Sequence, residues 1–292
     1  MDTSAGSNVY AYYSLGHERD RLSVDAHGVL EFERTAEIIR RCLPEAPALV
    51  ADIGGGPGRY ALWLAARGYA VEHRDLMPLH VEQLDAARGG SASIRTAVAD
   101  ARNLDLADES VDAVLLLGPI YHLRTRTERM AALHEARRVV RPGGPIFVAA
   151  ISRWAPRLDG VLRTRMYEQY PVIRDVIGEV ERTGWMPSLF DGSFTARTHR
   201  PGELRRELRD AGLVVTELVS VEGAAFLLGD LDERMADPLH WRVVLDAARA
   251  TERVPELLGL GPHLLATAIR PPGSDPAQAG GPAGRSGRPA WE

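Results

Sequence analysis

The chain of 292 residues has no lysine; all 35 of its basic residues are arginine. That excludes Schiff-base and lysine-base chemistry, and it excludes a P-loop, which needs a Gly-Lys pair. Asparagine is scarce too, present only at Asn8 and Asn103, a pattern that fits coding bias in a GC-rich genome. The one cysteine, Cys42, cannot close a disulfide within the chain or build a multi-cysteine metal centre. No metal site is therefore expected, and a reducing, cytoplasmic location fits. No apolar run approaches the roughly 18 residues of a membrane helix, and the polar start, residues 1–14, lacks the apolar core of a secretory signal. Excess positive charge is also missing: the net charge is −5 and the pI about 6.0, whereas a basic nucleic-acid footprint calls for a domain pI above about 9. The expected partner is a small molecule, with no nucleic acid and no membrane. The oligomeric state is left open.

What is present is an alternation of helical and strand patterns. Residues 31–42 have helical spacing, and 48–52 form a short apolar run ending in an acid. A glycine loop, Gly54 to Gly58, then opens a helix over 59–67. Strands follow over 69–75, 93–100, 111–117 and 146–151, separated by helices over 79–88 and 127–140. Crossovers of this length imply parallel strands, and near-continuous apolar strands imply a sheet covered on both faces. The expected class is α/β, a doubly wound sheet whose ligands sit beyond the carboxyl ends of the strands. After residue 151 the rhythm breaks. Residues 156–200 show helical patches and aromatics without a clear strand, and are too long for a plain loop. They are expected to form a lid. A helix from Pro201, a strand over 213–221, a helix over 230–253 and a last strand over 263–270 follow. The Pro- and Gly-rich end reads as disordered. The expected division is an N-terminal cap (1–35), a core (36–155), the lid (156–200), a C-terminal part of the core (201–272) and a tail (273–292).

The strongest local signal is Asp52-Ile-Gly-Gly-Gly-Pro-Gly58. Such a loop lets backbone approach a ligand and aims helix N–H groups at it. The dinucleotide fingerprint G-x-G-x-x-G fails, because counting from Gly54 puts Arg59 at the third glycine position. A carboxylate at Asp52 repels a pyrophosphate and suits an ammonium group. Asp75, at the end of the second strand, is placed to accept ribose hydroxyls. Asp100, ending the third, is placed to accept from an adenine amine while the Ala101 N–H serves a ring nitrogen; a turn cap is the alternative for Asp100. Three acids at strand ends converge on one crevice.

These residues resemble the class I S-adenosylmethionine-dependent methyltransferases, as does Arg141-Pro-Gly-Gly144 before the fifth strand. Leu115-Leu-Leu-Gly-Pro-Ile-Tyr-His-Leu123, the N-terminal Tyr12-Tyr13 with Glu18-Arg19-Asp20-Arg21-Leu22, and the stretch Phe190, Phe194-Thr195 and Thr198 resemble a subgroup of that class. The resemblance covers about residues 8–270; Pro145 is a minor departure. It implies a Rossmann-like seven-stranded methyltransferase sheet whose last strand is antiparallel, with an N-terminal helical cap and an inserted lid. It also implies S-adenosylmethionine as cofactor, held by Tyr13, Asp52, Gly54, Gly56, Gly58, Asp75, Leu76, Asp100, Ala101 and Gly118.

The implied reaction moves a methyl group to an O or N atom of a small-molecule acceptor. Because the methyl is already activated, positioning supplies most of the catalysis, worth about 7–11 kcal/mol. A base is needed only for a protonated nucleophile. His122 and Tyr121, past the fourth strand, are the catalytic candidates, with structural roles as the alternative. Tyr12, Arg153 and Trp154 are the candidates for shaping the acceptor pocket. Arg19, His199 and Glu222 are weaker candidates. A protein, peptide or RNA methyltransferase, an NAD-dependent oxidoreductase and a non-catalytic binding module are the competing readings.

Overall fold

The computed structural model describes residues 10–14, 16–189, 193 and 195–272. The expected disordered tail, 273–292, and Phe190 and Phe194 lie outside the described residues. Strands β1 (Leu49–Ile53), β2 (Ala70–Asp75), β3 (Ile94–Val98), β4 (Ala113–Leu116) and β5 (Pro145–Ser152) stand in the order β3-β2-β1-β4-β5, all parallel. Short apolar runs separated by helices give this arrangement, as expected. Alternate residues face opposite layers: Val114 and Leu116 join one core with Ile146 and Val148, while Ala113 and Leu115 join the other with Phe147 and Ala149.

Helix α1 (Ala26–Arg40) begins where the Asp25 carboxylate accepts from the Gly28 amide at 2.8 Å. It buries Leu30, Ile38 and Ile39. The helix therefore starts five residues before the predicted 31 and runs unbroken across the 35/36 boundary, so the cap and the core share one element. Helices α2 (Arg59–Ala65) and α3 (Pro78–Ala87) follow β1 and β2. A single helical turn, α4 (Pro119–His122), follows β4, and α5 (Arg126–Val139) begins at a capping box of Thr125 and Glu128.

The expected lid contains more order than its pattern announced. A π-helical segment, Pro156–Arg163, and α6 (Val172–Thr183) lead into β6 (Trp185–Met186) and β7 (Ala196–His199), which pair antiparallel. The strands close to the core with α7 (Pro201–Asp210), β8 (Val214–Ser220), α8 (Leu231–Ala236), α9 (Pro238–Thr251) and β9 (His263–Ile269). β9 runs antiparallel to β5 and β8. β3-β2-β1-β4-β5-β9-β8 thus make a mostly parallel central sheet of seven strands, to which β7 and β6 are added beside β5.

β7 has an unusual seat. β4 ends opposite Val148, and β9 holds the other edge of β5 from Pro145 to Ile151. The vacated edge beyond Val148 is taken by β7, in parallel, at Ile151 and Ser152. No apolar alternation marks β7, because ion pairs do the anchoring. His199 and Arg129 both donate to Glu207 on α7, Arg129 at 2.6 and 2.9 Å and His199 at 3.3 Å. Burial alone would raise the Glu207 carboxyl, but these partners outweigh it and bring it down to about 2. Its contribution to stability is thus complete above the ordinary glutamate range and is lost as pH falls toward 2. Glu207→Ala leaves the buried Arg129 guanidinium without its carboxylate, and urea unfolding near neutral pH is expected to show a loss of about 3–5 kcal/mol.

Candidate functional site

A cleft opens past the carboxyl ends of β1 to β4, where the strand order reverses. Its floor is the glycine loop. Gly54 and Gly56 take left-handed φ values of 65° and 58°. A side chain on Gly54 would strike the Pro119 ring, whereas one on Gly56 would meet only the Glu18 side chain, at an ordinary contact distance of 3.7 Å. Asp75 fixes the loop: its Oδ2 accepts from the Gly56 amide at 2.8 Å, and its Oδ1 accepts from the Met77 amide at 2.8 Å and from His80 Nδ1 at 3.0 Å. Burial disfavours the charge of Asp75, but His80 and the two amides outweigh it and hold the carboxyl below its ordinary range. At the far end Asp100 turns back on its own chain, accepting from the Arg102 amide at 2.9 Å and from the Arg102 guanidinium. Its turn-capping role and its place on the wall coexist.

Over the floor lies an aromatic cluster. Tyr13, in the helical turn formed by residues 10–13, brings its hydroxyl 2.8 Å from His122 Nε2. Its ring meets those of His80 and His122 edge-on. Burial drives His122 down to about 4 and Tyr13 well above the ordinary tyrosine range. Both are neutral at physiological pH, so His122 is not the near-neutral base that its ordinary value suggested. Burial likewise raises Tyr121.

Beyond the loop the cleft deepens between α1 and the sheet, lined by Arg21, Glu31, Thr35, Tyr60, Ala149, Val221 and His263. Arg21 donates to both oxygens of Glu31, at 2.5 and 3.1 Å, and to Glu18 at 2.8 Å. His263 Nδ1 lies 2.6 Å from Glu222 Oε1 and 3.9 Å from Glu31 Oε2. Glu31, Glu222 and His263 are spaced closely enough to ligate a cation, but Arg21 and the imidazole already compensate both carboxylates.

Ten of the expected residues come together on the cleft wall: Tyr13, Gly54, Gly56, Asp75, Leu76, Asp100, Ala101, Gly118, Tyr121 and His122. Five do not. Asp52 is buried beneath Gly55, where a Cβ would collide with its carboxylate. Gly58, at φ 86°, lets the loop pack on Leu84 of α3 and is needed for that close approach. Tyr12 packs edge-on against Tyr13 without lining the cleft. Arg153 is turned into the lid, donating to Glu203 at 2.6 Å and to the carbonyls of Glu181 and Thr198. Trp154 is 42% exposed and lies against Gly259. Of the weaker candidates, Arg19 is exposed, His199 anchors β7 and Glu222 holds His263. Sequence reasoning missed His80, Glu31 and His263. It also passed over Arg21, although that residue lies in the N-terminal motif beside Arg19.

Residues 51–148 match the family model described as a methyltransferase domain. Among curated relatives, the ubiquinone/menaquinone biosynthesis C-methyltransferase UbiE of Acidiphilium cryptum is 36% identical over 124 residues, covering 40% of this chain and 47% of its own. The human "Probable tRNA methyltransferase 9B" is 35% identical over 101 residues, covering 35% of this chain and 21% of its own. The chain thus spans less than half the length of these relatives. Among solved structures, the 1,6-didemethyltoxoflavin-N1-methyltransferase of Burkholderia thailandensis, with bound S-adenosylhomocysteine, superposes with a TM-score of 0.53 at 17% identity over 91% of this chain and 87% of that one. Residues 51–148 thus match a methyltransferase domain, and the fold around them is shared with solved S-adenosylmethionine-dependent methyltransferases. The glycine loop, Asp75, Asp100 and Ala101 all line this one cleft.

Two outcomes follow. Asp75→Ala removes a charged acceptor and frees the loop, so calorimetry is expected to show S-adenosylhomocysteine binding weakened by about 1–3 kcal/mol; unchanged affinity would count against this placement. Burial, with Asp75 adding to it, pushes the Asp52 carboxyl up to about 7. Wild-type stability from this group is full at acidic pH and is lost as pH rises through 7. Asp52→Asn is therefore expected to stabilise the ligand-free protein at pH 8, by no more than about 4 kcal/mol, and the gain measured by chemical unfolding should vanish as pH falls toward 4.

Proposed function

We propose that the chain transfers a methyl group from S-adenosylmethionine to a small-molecule acceptor, at an O or N atom, by in-line displacement. The observation that carries this reading is the shape of the cleft. It does not stop at the glycine loop but continues into a chamber between α1 and the sheet, walled by Arg21, Glu31, Tyr60 and His263. A chamber of this kind suits a compact acceptor and shields the reacting centre from water. Tyr13 and His122, joined and uncharged, close the space over the loop and serve by positioning. The acidic pI of about 6.0 argues in the same direction against a polyanionic acceptor. The tRNA-methyltransferase relative aligns over 101 residues, 35% of this chain, and the chamber walls on Arg21, Glu31 and His263 lie outside the residues 51–148 that match the methyltransferase-domain model. A role in the cytoplasm, without a membrane partner, belongs to the same proposal.

Calorimetry with S-adenosylhomocysteine and with NADH, followed by a turnover assay on small acceptors, bulk tRNA and a peptide mixture, tests the reading. The expected result is binding of S-adenosylhomocysteine and not of NADH, with methyl transfer confined to small acceptors. Binding of NADH in place of S-adenosylhomocysteine, or turnover on tRNA or peptide alone, would overturn it.

A further inference from the structure

The chamber holds a histidine that none of the cofactor contacts employs. His263 opens β9, lines the cleft, and is clamped at one ring nitrogen. A carboxylate can only accept, so the proton on Nδ1 belongs to the imidazole and is donated to Glu222 at 2.6 Å. The His263 amide donates to the other oxygen of Glu222, at 3.3 Å, so one carboxylate fixes both the backbone and the ring. That clamp leaves Nε2 as the nitrogen on which a proton is gained or lost. The half-buried ring faces Glu31 on α1 at 3.9 Å, and Arg21, donating to Glu31, completes the charged surroundings. The arrangement has the features of a base held by an orienting acid: a fixed tautomer and a fixed ring plane, on a residue that lines the cleft.

Resting on the methyl-transfer reading above, we infer that His263 is the general base for an acceptor bearing an acidic hydroxyl, a phenol or an enol, with Glu222 as its positioning residue. In the step, the acceptor O–H bond breaks and its proton passes to Nε2 of the neutral imidazole, while the Nδ1 proton stays on the ring, donated to the Glu222 carboxylate. A lone pair of the acceptor oxygen forms the new O–CH3 bond as the CH3–S bond breaks, and that bond's electrons return to sulfur. The sulfonium becomes a neutral thioether and the imidazole becomes imidazolium, so charge and protons balance. A hydroxyl suits the site because Arg21 and the imidazolium product face the developing oxyanion.

The surroundings also set the pH at which the base is available. Burial opposes the charge of His263, but Glu31 and Glu222 outweigh it and raise the group to about 9, with Arg21 pulling the other way. The imidazole is therefore protonated at neutral pH, and the active neutral form is gained as pH rises toward 9.

The test uses the full chain, S-adenosylmethionine and a panel of phenols, enols, carboxylic acids, amines and thiols, with S-adenosylhomocysteine release as the readout. Turnover is expected on the phenols and enols, rising with pH through a midpoint near 9. His263→Asn should lower turnover about 100-fold or more while leaving S-adenosylhomocysteine affinity unchanged by calorimetry. Glu222→Gln, a gentler change, should shift the rise in the pH profile to lower pH. NMR titration of the His263 ring in the S-adenosylhomocysteine complex should follow the same shift without any acceptor. A wild-type chain that does not bind S-adenosylhomocysteine defeats the underlying methyl-transfer reading. Where it binds, the inference on His263 is overturned by preferred turnover of an amine, acid or thiol, by no turnover on any member of the panel, by an undiminished His263→Asn enzyme, or by a Glu222→Gln profile and titration that do not move.

Discussion

The Asp75 carboxylate is the joint on which the cleft depends. It accepts from Gly56 in the glycine loop, from Met77 at the entrance to α3 and from His80 within that helix. A loop with left-handed glycines has many conformations open to it, and each one lost costs entropy. A buried carboxylate gripping the middle of the loop removes that freedom before any ligand arrives. The same contacts lend His80 to the ring cluster under Tyr13, which in turn reaches His122 past β4. One charged acceptor thus sets the relation between the ends of β1, β2 and β4.

Around this joint the molecule uses two kinds of adhesion. The seven-stranded sheet is held by apolar burial on both faces, with Val114, Leu116, Ile146 and Val148 on one side and Leu115 and Phe147 on the other. The lid is held by charge: Arg129 and His199 on Glu207, and Arg153 on Glu203. Buried ion pairs add less net stability than an apolar contact of the same size, yet they penalise any misplaced partner heavily. They fix where the lid sits more than how strongly it is attached.

The sheet was legible because apolar runs of strand length, spaced by helices, admit few arrangements. The floor of the cleft was legible because a glycine loop and strand-end acids lie close in sequence or at strand ends that the topology brings together. β6 and β7 were not legible. β7 carries Arg197, Thr198 and His199 in four residues, and its burial comes from partners on α5 and α7 that no local pattern shows. The inner part of the cleft was hidden for the same reason. Arg21, Glu31, Glu222 and His263 come from four separate places along the chain, and each is an ordinary polar residue until folding sets it beside the others. Asp52 misled in the opposite way: its position in the motif was right, but a buried carboxylate under Gly55 supports the loop from below.

β5 is eight residues long and β4 only four. The surplus gives the sheet a socket at its carboxyl edge, and the lid plugs into it through β7 at Ile151 and Ser152. A plug of two backbone pairs is small enough to be exchanged for another without disturbing the order of the strands behind it. The covering segment is therefore joined to the sheet at a place separate from β1 and β2, whose ends carry the glycine loop and Asp75.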